Sequence, residues 1–256
     1  MNSSNLNELF HQLTAVLDNH HPDDWEDIAS LLNQIRNKEK PLLISPGENP
    51  LEVFAKGTAF LTFSYGIDGV SIEILKYARI LNSLFSPLGK PSFHFIGGKF
   101  YPQADSILSA DWHRHPMDGI DGWDKWDGGK WFNALFKKGM RSYSEESNLL
   151  TKEIYKQAVS IAKRLGKYFM DNQISLAIPV NVASNPGNIA LTLGLVFVTE
   201  ALGIYVLNSN HDFYWEDGKP PAKRESGDEP GVRDHFFRNV NNKTFFSLFE
   251  SLFPWN

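Results

Sequence analysis

Apolar residues in the first part of the chain recur at helical spacing. Leu6, Leu9, Phe10, Leu13, Val16 and Leu17 share one face, and Trp25, Ile28, Leu31, Leu32 and Ile35 form a second stripe. Between them His20, His21, Pro22 and Asp23 break the pattern. Residues 4–37 are therefore predicted to form a helical hairpin, and residues 1–50 a helical extension ahead of the main domain. From Thr58 the pattern changes. Thr58–Ser64 is a short apolar run of strand type, followed by a glycine-containing turn and a helical stripe of Val70, Ile74, Ala78, Leu81 and Phe85. Asp68 stands where it can cap that helix. Ser92–Ile96 reads as a second strand, closed by Gly97 and Gly98.

The rhythm then stops. Residues 100–146 interleave Trp112, Trp123, Trp126 and Trp131 with Asp111, Asp118, Asp121, Asp124 and Asp127. This stretch is expected to be a long loop or short-helix insertion. Leu149–Met170 restores a helical stripe through Leu150, Ile154, Ala158, Ile161, Leu165 and Phe169. Ile174–Val182 is a further strand. Asn185 and Pro186 suggest a helix start. Ile189–Leu202 is apolar nearly all round, as a buried helix is, and Gly203 ends it. A buried strand from Ile204 and a last short helix over Asn241–Leu252 complete the pattern. Strands alternating with helices predict an α/β fold. The expected architecture is a Rossmann-like, mostly parallel sheet with helices on both faces, occupying residues 51–256.

Composition narrows the function classes. The chain has 256 residues, 42% of them hydrophobic, which is enough for a large core. No apolar run is long enough to span a bilayer. The N-terminus is polar and amphipathic and lacks the form of a secretory signal. The absence of cysteine excludes disulfides and thiolate chemistry, and fits a reducing, cytoplasmic setting. A net charge of −5 argues against a broad nucleic-acid footprint. Aromatics reach 13%, many of them next to Asp and Gly, a pattern suited to stacking on sugar rings.

The densest chemistry follows the strand that begins at Ile204. His211, Asp212, Tyr214, Trp215 and Glu216 fall together where a parallel sheet receives its ligands, outside the carboxyl ends of the strands. The loop carrying Gly66, Asp68, Gly69, Val70 and Ser71 enters a helix N-terminus and could bring backbone N–H groups to an anion. It lacks the G-x-G-x-x-G spacing and a Walker lysine, so dinucleotide and P-loop readings fail. His113 and His115 stand two apart, but spacing supplies no third metal ligand. There is no G-x-S-x-G elbow of a hydrolase.

Three segments, Tyr65–Glu73 (YGIDGVSIE), Asn185–Leu193 (NPGNIALTL) and Asn210–Glu216 (NHDFYWE), together resemble the amino-terminal domain of family 4 GT-B glycosyltransferases. The resemblance covers residues 58–99 and 174–216. It implies one half of a two-domain architecture that performs retaining transfer from a nucleotide-sugar, with no obligatory metal or other cofactor. Gly66, Asp68, Gly69, Val70 and Ser71 would match the loop near the donor phosphates. His211 would lie beside the transferred sugar with Asp212 next to it, and Tyr214 and Glu216 would complete the same motif. Partners would be a nucleotide-sugar donor, an acceptor and a second, donor-binding domain in the same or another chain. The alternatives are a non-catalytic sugar-binding module using Trp123 and Trp126, or an interaction subunit with an exposed patch of Phe245, Phe249 and Phe253.

Overall fold

The structure, a computed structural model, describes residues 3–122, 131, 134, 140–184, 187–211 and 243–253. The expected hairpin is formed by α1 (Ser3–Asn19) and α2 (Trp25–Arg36). Asp24 caps α2 in a reciprocal capping box with Asp27, so the polar break in the sequence starts the second helix. A short helix not anticipated from the apolar pattern, α3 (Pro50–Lys56), follows, with Asn49 as its cap and proline in its first turn. Seven residues present too few turns to show a periodic stripe.

The main sheet has five strands in the order β5-β3-β1-β6-β7, all parallel. They are β1 (Thr58–Leu61), β3 (Phe93–Gly97), β5 (His113–Pro116), β6 (Leu176–Pro179) and β7 (Tyr205–Val206). A two-residue ladder between β2 (Ser64–Tyr65) and β4 (Lys99–Phe100) lies just beyond β1 and β3. The helices are α4 (Gly69–Phe85), α5 (Glu145–Asp171), α6 (Ile189–Leu202) and α7 (Lys243–Ser251). The fold is thus α/β and Rossmann-like. The chain steps outward from β1 to β3 and β5, then returns to β6 and β7 on the other side. That reversal puts the switch point between β1 and β6, where ligands of such sheets bind.

Alternation along the strands divides the core between two faces. Ala59, Leu61, Ile96 and Ala177 join one hydrophobic cluster with α1, α2, α5, α6 and α7. Phe60, Phe93, Phe95, Leu176 and Ile178 join the other with α3 and α4. The expected inner face of α5, from Leu150 to Phe169, is buried throughout. Each such side chain contributes roughly 1.5–3 kcal/mol by leaving water. Glu200 of α6 is wholly buried and pairs with Arg36 at 3.5 Å and Lys40 at 2.6 Å. Arg36 also donates to the Phe253 carbonyl at 2.6 Å, tying the end of α7 to α2. Among the described residues no helix is long and apolar enough to cross a membrane.

Several expectations are corrected. His113–Pro116, inside the expected loop insertion, is a strand of the main sheet paired with β3. As an edge strand it is mostly exposed and needs no apolar face, so its His-Arg-His-Pro sequence carries no strand signal. Trp112 of the same stretch stacks on Phe95 at 5.0 Å, and Trp131 is buried, so both serve the core. The cap of α6 is Asn188, whose side chain accepts from the Leu191 amide. The expected Asn185 and Pro186 lie outside the described residues. Gly203 stops α6 as anticipated, in the left-handed conformation at φ 67. β7 is a half-buried edge pair of residues instead of a buried strand. Phe249 is buried and Phe253 packs against the core, so neither forms an exposed patch. The side chain of Phe245, and Trp123 and Trp126, lie outside the described residues.

Candidate functional site

The carboxyl edge of the sheet gathers the loops after β1, β6 and β7. After β1, the turn into α4 is built by its own side chains. Asp68 accepts from the Ser71 amide at 2.8 Å and from the Ser71 hydroxyl at 3.1 Å, and the Gly66 amide donates to Ser71 Oγ at 3.1 Å. Ser71 is buried. Asp68 and Ser71 therefore act as the cap, and the Asp68 carboxylate already occupies part of the helix N-terminus. The amides of Gly69 and Val70 remain in the first turn, where an α-helix supplies no internal acceptor. A Cβ built on Gly69 would meet nothing within 4 Å, so this glycine is open to solvent and its backbone can be approached closely.

After β7 the chain continues parallel to β6 through a bridge between Val180 and Ser209. Asn181 closes β6 in the left-handed region at φ 58, a conformation Asn tolerates better than most residues. Its side-chain oxygen accepts the His211 amide at 2.7 Å. That bond sets the path of the main chain at His211, whose ring is exposed. The ring Nε2 lies 2.9 Å from Ser209 Oγ and 3.4 Å from the Tyr77 hydroxyl, and those two oxygens are 3.0 Å apart. Tyr77 belongs to α4, two turns beyond the Gly69–Val70 amides. Its ring also stacks on that of His211, with centroids 6.5 Å apart. Glu73, one turn before Tyr77, has its carboxyl held below the ordinary range. The main cause is a hydrogen bond from Lys76 at 2.9 Å; the nearby Tyr77 hydroxyl and the charges of Lys76 and His211 add to it, against the opposing effect of burial.

The structure thus brings His211 and the start of α4 to one edge. Asp212, Tyr214 and Glu216 lie outside the described residues. Tyr77, Ser209 and Asn181 escaped the sequence reading. An asparagine at a strand end was the one local signal, since Tyr77 reaches the site only through tertiary packing. Three further polar atoms on the loops after β6 and β7, Ser184 Oγ, Asn208 Oδ1 and Asn210 Oδ1, are buried and have no hydrogen-bond partner among the described residues. Native proteins leave few such groups unsatisfied.

Two other regions compete for attention. A cleft of ≈ 290 Å³ is lined by Val53, Phe169, Ile174, Leu202 and Ile204 together with Glu48, Lys56, Asp171 and Gln173. It sits at the amino ends of β6 and β7, opposite the edge that carries the polar network. The second region is a histidine group on the α5 face of β3 and β5. His94 is buried, with Nε2 2.9 Å from Ser92 Oγ and Nδ1 2.9 Å from the Tyr168 hydroxyl. His113 stacks on His94 at 4.7 Å, and His115 stacks on Tyr168 at 3.9 Å. Burial, then the charges of His113 and His115, push His94 down to about 4. Burial and Arg164 lower His115. These rings stack face to face instead of pointing nitrogens at a common centre. Among the described residues no group of three or more His, Cys, Asp or Glu could hold a metal ion.

No protein-family model, no curated protein and no solved structure matches this chain.

Proposed function

We propose that the chain is the acceptor-side half of a retaining GT-B glycosyltransferase, moving a sugar from a nucleotide-sugar to an acceptor hydroxyl. The observation that carries this reading is the meeting of His211 with Tyr77 of α4 at the carboxyl edge of a Rossmann-like sheet. A parallel sheet binds its ligands there. An exposed imidazole and open backbone amides on the same sheet edge suit a ligand with both hydroxyls and a phosphate. In this reading the amides of Gly69 and Val70 receive the donor phosphate, and His211 meets a hydroxyl of the transferred sugar. A second domain, in this or another chain, holds the nucleotide and stabilises the leaving diphosphate. The setting would be cytoplasmic, where nucleotide-sugars are available.

Titrating the ¹⁵N-labelled chain with UDP-, GDP- and ADP-sugars and with simple glycosides tests the reading. The expected result is a shift of the Gly69, Val70 and His211 amides with at least one nucleotide-sugar. Silence at all three positions, or shifts confined to the cleft around Phe169 and Ile174, would overturn it.

A further inference from the structure

The amides of β7 and its continuation bond to β6 at every second residue, in one unbroken parallel register. Tyr205 donates to the Ser175 carbonyl at 3.0 Å, Leu207 to Ala177 at 3.0 Å and Ser209 to Pro179 at 2.9 Å. The next rung in that series joins His211 to Asn181. There the acceptor changes: the His211 amide donates to Asn181 Oδ1 at 2.7 Å, and a side chain stands in for the backbone carbonyl. The Asn181 amide still belongs to the ladder and donates to the Ser209 carbonyl at 2.9 Å. Its φ of 58, however, takes the main chain out of the strand conformation at this residue. Beyond it the chain leaves for α6, whose Thr192 hydroxyl donates to the Val182 carbonyl at 2.8 Å. Asparagine suits both tasks. It tolerates the left-handed region, and its side chain carries an amide carbonyl like that of the backbone. Asn181 is buried, so the rung is shielded from water.

We propose that Asn181 is the positioning residue of His211. Its side chain extends the ladder by one rung after the main chain has turned away. It thereby carries the path of β7 out to the ligand edge, where the exposed His211 ring comes within reach of Ser209 and Tyr77. Without this rung the last amide of the segment held by β6 is that of Ser209, two residues short of the imidazole. The rung belongs to this chain whatever the ligand; that the placed ring meets a transferred sugar rests on the transfer reading above. Two substitutions take the residue apart. Asn181→Gly removes the acceptor and keeps the turn, because glycine adopts positive φ freely. Asn181→Asp keeps the acceptor and the tolerance of that conformation. The earlier rungs end on the backbone carbonyls of Ser175, Ala177 and Pro179, which neither substitution touches.

Amide hydrogen exchange of the ¹⁵N-labelled chain reads each rung separately. In Asn181→Gly the His211 amide should exchange roughly fivefold faster, the effect of one net hydrogen bond. Leu207 and Ser209 should keep their wild-type rates. In Asn181→Asp the His211 amide should return to the wild-type rate or below it, because a carboxylate is the stronger acceptor. A residue that only stabilised the fold would move all three amides together. That result in Asn181→Gly, or a His211 amide indifferent to it, would overturn the assignment. The glycine variant answers alone if the buried carboxylate of Asn181→Asp prevents folding. Titrating the same proteins with UDP-, GDP- and ADP-sugars separates this inference from the transfer reading. Shifts at His211 that weaken in Asn181→Gly support both. If the exchange change is confined to His211 but no sugar moves its resonances in the wild type, the positioning stands and the transfer reading falls. If sugars shift His211 equally in wild type and Asn181→Gly while its exchange is unchanged, the positioning falls and transfer stands.

Discussion

Two Ser-x-His segments in this molecule carry the same local chemistry and end in different roles. Ser92-Phe93-His94 opens β3, and Ser209-Asn210-His211 follows β7. In each the serine hydroxyl lies 2.9 Å from Nε2, and a tyrosine hydroxyl arrives from a helix packed alongside. At His94 the tyrosine takes Nδ1, so both ring nitrogens are consumed beneath α5 and the residue is 2% exposed. At His211 both hydroxyls crowd onto Nε2, and the other nitrogen is left toward solvent. The pattern of residue types does not make a site. What separates the two is how many ring nitrogens the protein itself consumes and how far water is excluded.

Exchanging the damage between the two histidines gives the largest expected effect. If the proposed transfer reading holds, His211→Ala should lower transfer at least 100-fold, the usual contribution of a positioned acid–base or polar group. It should change folding stability by less than about 0.5 kcal/mol, as exposed substitutions do. His94→Ala should do the reverse. It leaves a buried gap and strands the hydroxyls of Ser92 and Tyr168, costing roughly 3 kcal/mol in urea unfolding with sugar binding at the edge unchanged. Loss of sugar response at His211 in folded His94→Ala would erase the distinction.

Acid separates the same pair. Because His94 is held near 4 in the folded chain and returns to the ordinary 6.5 when unfolded, the unfolded chain binds the extra proton. The stability that neutral His94 contributes is therefore complete above about pH 6.5. It falls as pH drops from there toward 4, and the loss levels off below that. Stacking on the exposed ring of His113 softens the effect to roughly 2 kcal/mol. Thermal unfolding across that window should show the loss in the wild type and a flatter profile in His94→Gln. Equal slopes in the two proteins would assign the acid sensitivity elsewhere.

A smaller contrast compares matched tyrosines and the glycine loop. Tyr168→Phe should cost about 1 kcal/mol by stranding His94 Nδ1, whereas Tyr77→Phe should leave unfolding nearly unchanged. Gly69→Ala has open space for its methyl group and should raise stability by up to roughly 0.5 kcal/mol through the unfolded chain. If the Gly69 amide receives a phosphate, the same methyl group should weaken nucleotide-sugar binding several-fold. Unchanged affinity would remove this loop from the site.

Much of the fold was legible because it is local. The stripes of α1, α2, α4 and α5, the Asp68 cap and the Gly203 stop depend on residues within one or two turns of each other. Those signals determined the helices other than α3, three of the strands and the α/β class, and the position of His211 after a late strand already pointed to the carboxyl edge. Tertiary structure alone decided the rest. β5 exists because β3 supplies hydrogen bonds to a segment with no strand pattern of its own. Trp112 read as part of a loop insertion and became core because Phe93 and Phe95 pack against it. His211 meets Tyr77 across a separation of 134 residues. No local rule could choose between His94 and His211, because hydrogen-bond partners and exclusion of water are properties of packing, and packing is set by how the helices and strands come together.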